Sequence, residues 1–362
     1  MTSIRKIFGA PHRYIQGPDA LDELGQVAAA FGPSPAVIAD AFILEKMGPR
    51  IEAILRDAGL TPIICAFDGE ITYAAIDAVI ATLGGIVPSV AIGIGGGKSL
   101  DASKGLALKL GIDVITVPTI ASNDSPTSAS IAMYDDHHVM ISVDRLKRSP
   151  QAVIVDTKLI AAAPALFLRA GIGDAISKKF EADGCLAGNG ITPFGTRPLL
   201  TAIVIADACY RVLREHSEAA LQSVELGEVS DALEATIEAV ILMSGLGFEN
   251  GGLSLSHSLT RGLVKARGAK NAIHGQHVAW GVLVQLAAEG RSDAELADII
   301  AFHRSIELAT TLQQLGMEDA TGAEIAEIAD WTMTAPHLNN LPFSITAVDV
   351  AAAIRRVERL AA

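Results

Sequence analysis

The stretch SVAIGIGGGKSLD, residues 89–101, decides the fold of this chain. Its apolar run Val90–Ile92 predicts a buried strand, which three consecutive glycines, Gly95–Gly97, follow. Lys98 then opens an amphipathic helix. A phosphate can approach the backbone at such a turn, because the free N–H groups and the positive end of the helix favour an anion. The structural alternative is a tight strand-to-helix turn without a ligand.

The glycine turn matches neither of two common phosphate-binding motifs. A P-loop would need glycine five residues before Gly97, where the chain has Ile92. A dinucleotide-binding fingerprint that begins at Gly93 would need glycine where Lys98 stands. The sequence therefore predicts a phosphate turn of a different kind.

Strands and helices alternate up to about residue 160, which is typical of a largely parallel sheet that binds ligands at the carboxyl ends of its strands. Asp40 lies at one such end, and Asp19 is expected to cap the helix after the first strand. A hairpin with a polar tip is predicted from residues 131–134 and 139–143, which flank residues 135–138. The other predicted strands are residues 13–16, 35–40, 61–67, 112–118 and 151–156.

Helical segments rich in alanine and leucine replace this pattern in the second half of the chain. Gly173 and Asp174 are expected to interrupt them. We therefore predict an α/β domain with a largely parallel sheet, residues 1–162, and an all-α domain, residues 163–362, with a cleft between them. The predicted helices are residues 175–186, 194–216, 227–246 and 275–289, with further helix in 293–362.

Composition narrows the class of protein. The chain has 362 residues, enough for about two domains of ~150 residues each. Its net charge of −13, without a basic block, argues against nucleic-acid partners and anionic membrane surfaces. Neither a secretion signal nor a membrane-spanning stretch is evident. Cys65, Cys185 and Cys209 are widely spaced and apolar in context, so we expect reduced core thiols in a cytoplasmic protein.

A polar loop follows the predicted strand 112–118. It reads PTIASNDSPTSAS, residues 118–130, and holds Thr119, Ser122, Asp124 and Ser128. Such residues favour turns in any case, so a hydrogen-bonded loop without function is one interpretation. The position of the loop at the carboxyl end of a strand, beside the glycine turn, favours a functional one.

Three separate residues suggest a metal site. Asp174 alone would be interpreted as a helix cap, and a single histidine is more often structural than a ligand. Together, Asp174, His257 and His274 form an N/O ligand set that suits a catalytic Zn²⁺ or a related divalent ion. His277 is either a fourth ligand or a neighbour of the site in the cleft. The other histidines, predicted to lie at the surface or in packing, are His12, His137, His138, His216, His303 and His337.

Five motifs together resemble the glycerol dehydrogenases of the metal-dependent, so-called iron-containing, alcohol dehydrogenase superfamily. They are GIGGGKSLDASK, PTIASNDSPTSA, GIGDAISKKFEA, GFENGGLSLSHSL and IHGQHVAWG, and the resemblance extends from Gly9 to about residue 345. It implies the iron-containing alcohol dehydrogenase fold, also called dehydroquinate synthase-like. In that fold an N-terminal NAD-binding domain precedes a helical domain that binds metal and substrate. It also implies a homo-oligomer, in some members an octamer.

The resemblance also implies roles for individual residues. Zn²⁺ would be held by Asp174, His257 and His274, with His257 thereby catalytic, and Asp124 would contact the polyol. Asp40 would bind the adenosine ribose hydroxyls, which favours NAD over NADP because a 2′-phosphate would be repelled. The remaining cofactor contacts would be Gly96, Gly97, Lys98, Asp101, Thr119, Ser122, Ser128, Ser130 and Tyr134.

Some residues depart from the family pattern. Ser130 stands where an apolar residue is usual, Asn123 where Thr is common, and residues 134–150 differ from the family's usual run. The expected reaction is NAD-dependent oxidation of glycerol, or of a related vicinal diol, to a hydroxy-ketone. Alternatives are a lyase like 3-dehydroquinate synthase, a glycerol-1-phosphate dehydrogenase, or a polyol sensor without catalysis. The two enzymes need a basic phosphate site, for which only Lys178 and Lys179 are evident.

Overall fold

The computed structural model describes residues 5–136 and 140–362. Its strands are β1 Arg13–Gly17, β2 Ala36–Ala39, β3 Ile63–Ala66, β4 Ala91–Gly95, β5 Val114–Pro118, β6 Ser130–Tyr134, β7 Met140–Arg145 and β8 Ala152–Asp156. Six of them form the predicted parallel sheet, in the order β1–β8–β5–β4–β2–β3. β6 and β7 pair antiparallel as the predicted hairpin. His137 and His138, expected at its tip, lie outside the described residues.

The order of the strands marks one position at the edge of the sheet. β3 lies outside β2, and the chain then returns to place β4 on the other side of β2, so the strand order reverses between β2 and β4. Asp40 directly follows β2, and Gly96 directly follows β4. In open parallel sheets ligands bind at the carboxyl ends of the strands where the order reverses. The fold thus brings the glycine turn and Asp40 to the same ligand-binding edge.

Four helices accompany the first strands: α1 Leu24–Ala29, α2 Ala41–Asp57, α3 Tyr73–Thr82 and α4 Gly97–Leu110. Asp40 caps α2, because its Oδ1 accepts a hydrogen bond from the Ile43 N–H at 2.9 Å. Asp19 does not cap a helix as predicted. It takes a left-handed conformation with φ 63° before a 3₁₀ turn, and its carboxylate forms an ion pair with Lys158 instead.

The second half of the chain is helical, as predicted. Its elements are α5 Thr157–Ala161, α6 Ala165–Ala187, α7 Leu200–Leu226, α8 Asp231–Glu238, α9 Ser244–Gly251, α10 Leu255–Ser258, α11 Thr260–Leu263, α12 His274–Ala288, α13 Asp293–Ser305, α14 Gly322–Thr332 and α15 Ala347–Ala361. A π-helical segment, Ala239–Met243, joins α8 to α9. The domain boundary after residue 162 stays a prediction.

Helix α6 runs without interruption through Gly173 and Asp174, so the predicted break there is wrong. Its glycines serve close packing instead. A Cβ on Gly171 would lie 2.2 Å from the carbonyl oxygen of Ala121, and one on Gly173 would lie 2.4 Å from that of Gly275. The missing side chains let α6 approach the loop after β5 and the start of α12. Asp174 is therefore a buried mid-helix residue and not a helix cap.

Two apolar clusters cover the faces of the parallel sheet, and a larger one fills the helical part. Polar contacts also join the two parts of the chain. Asn250 exchanges two hydrogen bonds with the backbone of Gly9, at 2.7 and 2.9 Å. The Ala129 N–H donates to Oε1 of the buried Glu249 at 2.7 Å. These contacts fix α9 against the N-terminal segment and the end of the polar loop.

Two further sequence predictions can be compared with the described chain. The three cysteines are free and buried, as predicted. None of the described helices is both long enough and apolar enough to cross a bilayer.

Candidate active site

A cavity of about 790 Å³ lies where the carboxyl edge of the sheet meets the helical part. It brings together most of the predicted site residues: Gly97, Lys98, Asp101, Asp124, Ser128, Ser130, Tyr134, Asp174, His257 and His274. Asp40, Gly96, Thr119 and Ser122 are not among the described residues that line it. Three of these four directly follow β2, β4 and β5, and therefore extend the site along the same edge of the sheet.

Asp174, His257 and His274 converge from three helices, although they are far apart in sequence. Oδ1 of Asp174 lies 3.1 Å from Nε2 of His257 and 3.8 Å from Nε2 of His274. One potential ligand atom from each of the three residues lies within 4.8 Å of the other two. Asp174 is buried in α6, whereas 48% of the His274 side chain is exposed at the start of α12. The three groups thus surround one point that opens to the cavity.

Glu181 orients His257. Its Oε2 lies 2.6 Å from Nδ1 of His257, and its Oε1 accepts the backbone N–H of His257 at 3.0 Å and that of Ser254 at 2.8 Å. Burial opposes the charge, yet the neighbouring His257 lowers the pKa of Glu181 to about 2. In return, although burial opposes it, Glu181 raises the pKa of His257 to about 9. The carboxylate holds the ring so that Nε2 faces Asp174, as carboxylates do for metal-bound histidines.

The ammonium group of Lys178 lies within this cluster. Its Nζ donates to Oδ1 of Asp174 at 2.9 Å, and it is 3.3 Å from Nε2 of His257. It also forms an ion pair with Oδ2 of Asp124 at 3.1 Å, in a geometry that is not that of a hydrogen bond. Burial opposes the charge, but Asp124 and Asp174 keep the pKa of Lys178 above its usual value. The spacing of Asp174, Lys178 and Glu181 places all three on one face of α6.

The charges of the cluster indicate what is needed to balance them. Asp124, Asp174 and Glu181 supply three negative charges and Lys178 one positive charge, which leaves −2 when the histidines are neutral. Lys178 and His257 also hold the pKa of Asp174 well below its usual range, although burial opposes this. Buried charges are costly unless they are paired. A divalent cation among the three ligand atoms would neutralise the cluster, so the donor set and the charge both fit one.

The glycine turn has the features of a phosphate-binding site. Helix α4 begins after Gly96 without a side-chain cap, so its first N–H groups are not satisfied by a capping residue. A Cβ on Gly97 would lie 3.1 Å from the Asn123 side chain, and one on Gly95 would lie 2.9 Å from Ser99 Oγ, with φ at +138°. The bare backbone and the helix dipole fit the diphosphate of a dinucleotide.

Two charged residues of the turn have partners within the protein. Lys98 is exposed and pairs with Glu70 at 3.0 Å. The Asp101 carboxylate accepts from Ser125 Oγ at 2.6 Å, from the Ala132 N–H at 3.0 Å and from Lys104 Nζ at 3.1 Å. Asp101 thus fixes the polar loop beside the turn, a structural task that the sequence did not indicate.

Asp124 lies in the cavity between the glycine turn and the cluster of Asp174, His257 and His274. Its loop is tied to the helical part, because Thr127 Oγ1 donates to the carbonyl of Ile241 at 2.9 Å. Burial raises the pKa of Asp124, while Lys178 acts in the opposite direction. Tyr134 lines the same cavity, and burial raises its pKa to about 12. A small polar molecule in the cavity would therefore meet Asp124 and the cluster at once.

Known proteins are similar to this chain in both sequence and fold. The sequence model of the iron-containing alcohol dehydrogenases matches residues 11–157. A glycerol dehydrogenase of Escherichia coli O6:H1 is 36% identical over 96% of this chain and 95% of its own, and a glycolaldehyde reductase of Halobacterium salinarum is 34% identical over 96% and 94%. The crystal structure of a probable glycerol dehydrogenase from Sinorhizobium meliloti 1021 superposes with a TM-score of 0.91, at 36% identity and 99% coverage of both chains.

The chain belongs to the iron-containing alcohol dehydrogenase family. Its parallel α/β sheet followed by helices is the fold of that family, as the resemblance predicted. The metal that the family name implies fits the cluster, since one carboxylate and two imidazoles suit a catalytic divalent ion with an open position. The dinucleotide expected of a dehydrogenase fits the glycine turn at the reversal of strand order.

Two histidines lie in positions that differ from those that the sequence predicts. His277 is buried, and its Nε2 donates to the carbonyl of Ala269 at 2.7 Å. It belongs neither to the three-residue cluster nor to the described lining of the cavity. His337, predicted to be a surface or packing residue, lines the cavity. It was missed because its segment carries no motif and reaches the site only through the tertiary fold.

Two basic residues that line the cavity, Arg145 and Arg261, were also missed, so the expectation of no basic set beyond Lys178 and Lys179 is wrong. Lys178, which the sequence analysis names, is part of the cluster. Two signals were present in the sequence. Lys178 and Arg261 each follow a predicted ligand, Asp174 and His257, by four residues, which places each pair on one face of a helix.

Proposed function

We propose that this member of the family oxidises glycerol, or a related vicinal diol, to the hydroxy-ketone with NAD⁺ as acceptor. One observation carries the proposal. Asp174, His257 and His274 surround a point in the same cavity as Asp124 and the glycine turn of α4. The relatives named glycerol dehydrogenases, at 33–36% identity over nearly the whole chain, support glycerol as substrate.

Each residue of the site has a task in this proposal. Asp174, His257 and His274 would hold the divalent ion, for which we propose Zn²⁺, and Glu181 keeps His257 in the orientation for binding. Asp124 accepts a hydrogen bond from a hydroxyl of the diol and so orients the carbon that reacts. When bound, the metal withdraws charge from the substrate hydroxyl and the nicotinamide accepts a hydride.

The other cofactor residues act at the edge of the sheet. Gly96, Gly97 and Lys98 receive the diphosphate, and Asp40 accepts hydrogen bonds from the adenosine ribose. Thr119, Ser122, Ser128, Ser130 and Tyr134 face the nicotinamide half. Asp101 supports this set by holding the polar loop in place.

The test is formation of NADH by the purified protein with glycerol and a panel of vicinal diols. His257→Ala should lose most of its bound metal and several orders of magnitude of turnover, because the metal stabilises the charge that develops on the substrate oxygen. It should still bind NADH. His216→Ala, on the outer helix α7, is the matched control and should keep metal and activity. Full metal content and activity in His257→Ala would refute the site, and elemental analysis decides between Zn²⁺ and iron.

We also propose that the protein forms a homo-oligomer, for example an octamer. Leu200 and Val204 lie one turn apart on α7 and are 71% and 55% exposed. Exposed apolar side chains at this spacing support a contact between subunits. Light scattering at micromolar concentration tests this, and a monomer would contradict it. The assumed location is the cytoplasm, which the three free buried thiols support.

A further inference from the structure

Two guanidinium groups face the cavity without a carboxylate in hydrogen-bond contact among the described residues. Arg145 comes from β7 of the hairpin and Arg261 from α11, and both line the cavity. Nη2 of Arg145 donates to Ser130 Oγ at 3.1 Å. In the described chain neither guanidinium forms a close ion pair, although the buried Glu249 acts electrostatically on Arg145, and Arg261 has no hydrogen-bond partner. Each guanidinium carries five N–H donors in a planar fork, a shape suited to an anion.

The acidic residues of the cavity are already engaged by lysines. Among the described lining residues these are Glu70, Asp101, Asp124 and Asp174. Their partners are Lys98 for Glu70, Lys104 for Asp101, and Lys178 for both Asp124 and Asp174. Lys178 offsets only one charge of its two aspartates, and the proposed divalent ion would balance the charge that remains on the cluster. With that ion bound, the described lining holds no further carboxylate to balance the two arginines. A neutral polyol would leave their charge unbalanced as well.

Arg261 lies close to the metal cluster. Leu259, which joins α10 to α11, has helical angles, so His257 and Arg261 occupy one face of a nearly continuous helix one turn apart. His337 links this face to Arg145. Burial lowers the pKa of His337 to about 4, and the charges of His257, Arg261 and Arg145 act in the same direction. The two guanidiniums and the cluster therefore line the same cavity, with Arg261 one helical turn from His257.

We propose that Arg261 and Arg145 bind an anionic group of the substrate. The substrate class is then a small hydroxy compound with a carboxylate or phosphate a few bonds from the carbinol carbon. This inference rests on the proposed function and leaves its reaction unchanged. The carbinol C–H bond breaks, the hydride passes to NAD⁺, the hydroxyl proton goes to solvent, and a C=O bond forms. The anion fixes which end of the molecule enters the metal cluster.

The experiment compares glycerol with charged analogues that share its diol. D- and L-glycerate carry the carboxylate, and sn-glycerol 1-phosphate and sn-glycerol 3-phosphate carry the phosphate. We expect kcat/KM for at least one of these anions to exceed that for glycerol at least about tenfold. In Arg261→Gln and Arg145→Gln the ratio of kcat/KM for the anion to kcat/KM for glycerol should fall by about 10- to 100-fold, because a charge-assisted hydrogen bond is lost. Arg261→Lys should restore part of it.

Controls separate this inference from the proposed function. Lys270→Gln removes the same charge from an exposed position outside the cavity and should leave the ratio unchanged. Turnover of glycerol with none of the anions accepted would overturn the inference alone. An absence of turnover with every alcohol would overturn both. If the arginine variants weakened NAD⁺ binding in calorimetry and left the ratio unchanged, the guanidiniums would belong to the cofactor site and the inference would be wrong.

Discussion

Glu249 allows a prediction in which pH and stability are linked. It is 1% exposed, and its Oε1 accepts the Ala129 N–H that joins α9 to the end of the polar loop. Burial raises the pKa of Glu249 from 4.5 to about 7, against the lowering effects of that hydrogen bond and of Arg145. The folded chain therefore keeps the proton to higher pH than the unfolded chain. The contribution of Glu249 to stability is full below pH 4.5 and is lost as pH rises through about 7.

The magnitude follows from the two pKa values. The difference between the folded and unfolded pKa values of Glu249 corresponds to at most about 3 kcal/mol in the free energy of unfolding. About 2.5 kcal/mol of this is lost between about pH 5 and pH 8. Glu249→Gln keeps an oxygen that accepts the Ala129 N–H but cannot ionise. Relative to the native protein, the variant should therefore gain about 2.5 kcal/mol in its free energy of unfolding over that range. The gain requires no new contact.

Equilibrium urea unfolding at a series of pH values measures this difference. Both proteins share every other titrating group, so subtracting one curve from the other isolates Glu249. Glu225→Gln, on an exposed face of α7, is the control and should show a flat difference. A difference between Glu249→Gln and the native protein that did not change from pH 5 to pH 8 would refute the raised pKa.

Four further predictions concern the site. Asp40→Gly should narrow the preference for NAD⁺ over NADP⁺ about 10- to 100-fold, because a charge-assisted hydrogen bond to the ribose is lost; an unchanged ratio of catalytic efficiencies would count against this role. Asp124→Asn should raise the KM for the diol and leave the dissociation constant of NAD⁺ nearly intact, whereas equal damage to both would mark Asp124 as structural. Glu181→Gln should weaken metal binding about 10- to 100-fold, since His257 loses its orienting carboxylate; competition with a chelator measures this, and unaltered affinity would contradict it. Metal affinity should also fall about tenfold per pH unit below pH 9, because the pKa of His257 is about 9 and the ion must displace its proton. Calorimetry in buffers of different ionisation enthalpy measures the number of protons released on metal binding. A metal affinity that did not change with pH would exclude competition between the ion and the His257 proton.

The sequence predicts best those parts of the molecule whose structure is determined by residues close together in the chain. The apolar run before Gly95 and the glycines after it define a strand and a helix start within a dozen residues, and the alternation around them defines a parallel sheet. The sequence predicts Asp174 as a metal ligand, yet it also predicts a break in the surrounding helix that the structure does not have. Gly171 and Gly173 looked like helix breakers, whereas their function is to let two backbones approach closely. That need is set by neighbours more than 40 residues away in sequence, such as Ala121 and Gly275, and no local pattern records it.

The basic side of the cavity shows the same limit. Arg145, Arg261 and His337 come from a hairpin, a short helix and a 3₁₀ turn, and only the tertiary structure brings them together. Residues spaced by helical turns are the exception, because the spacing itself predicts a shared face. Lys178 and Arg261 each follow a predicted metal ligand by four residues, so a helix assignment would have been enough to place them.

Lys178 places a positive charge among the proposed metal ligands. Its ammonium group lies among Asp124, Asp174 and His257, so those groups have a resident cation from the moment the chain folds. Folding therefore does not require a divalent ion to place a cation beside these carboxylates. Loading becomes an exchange in which the ammonium gives way as the ion arrives.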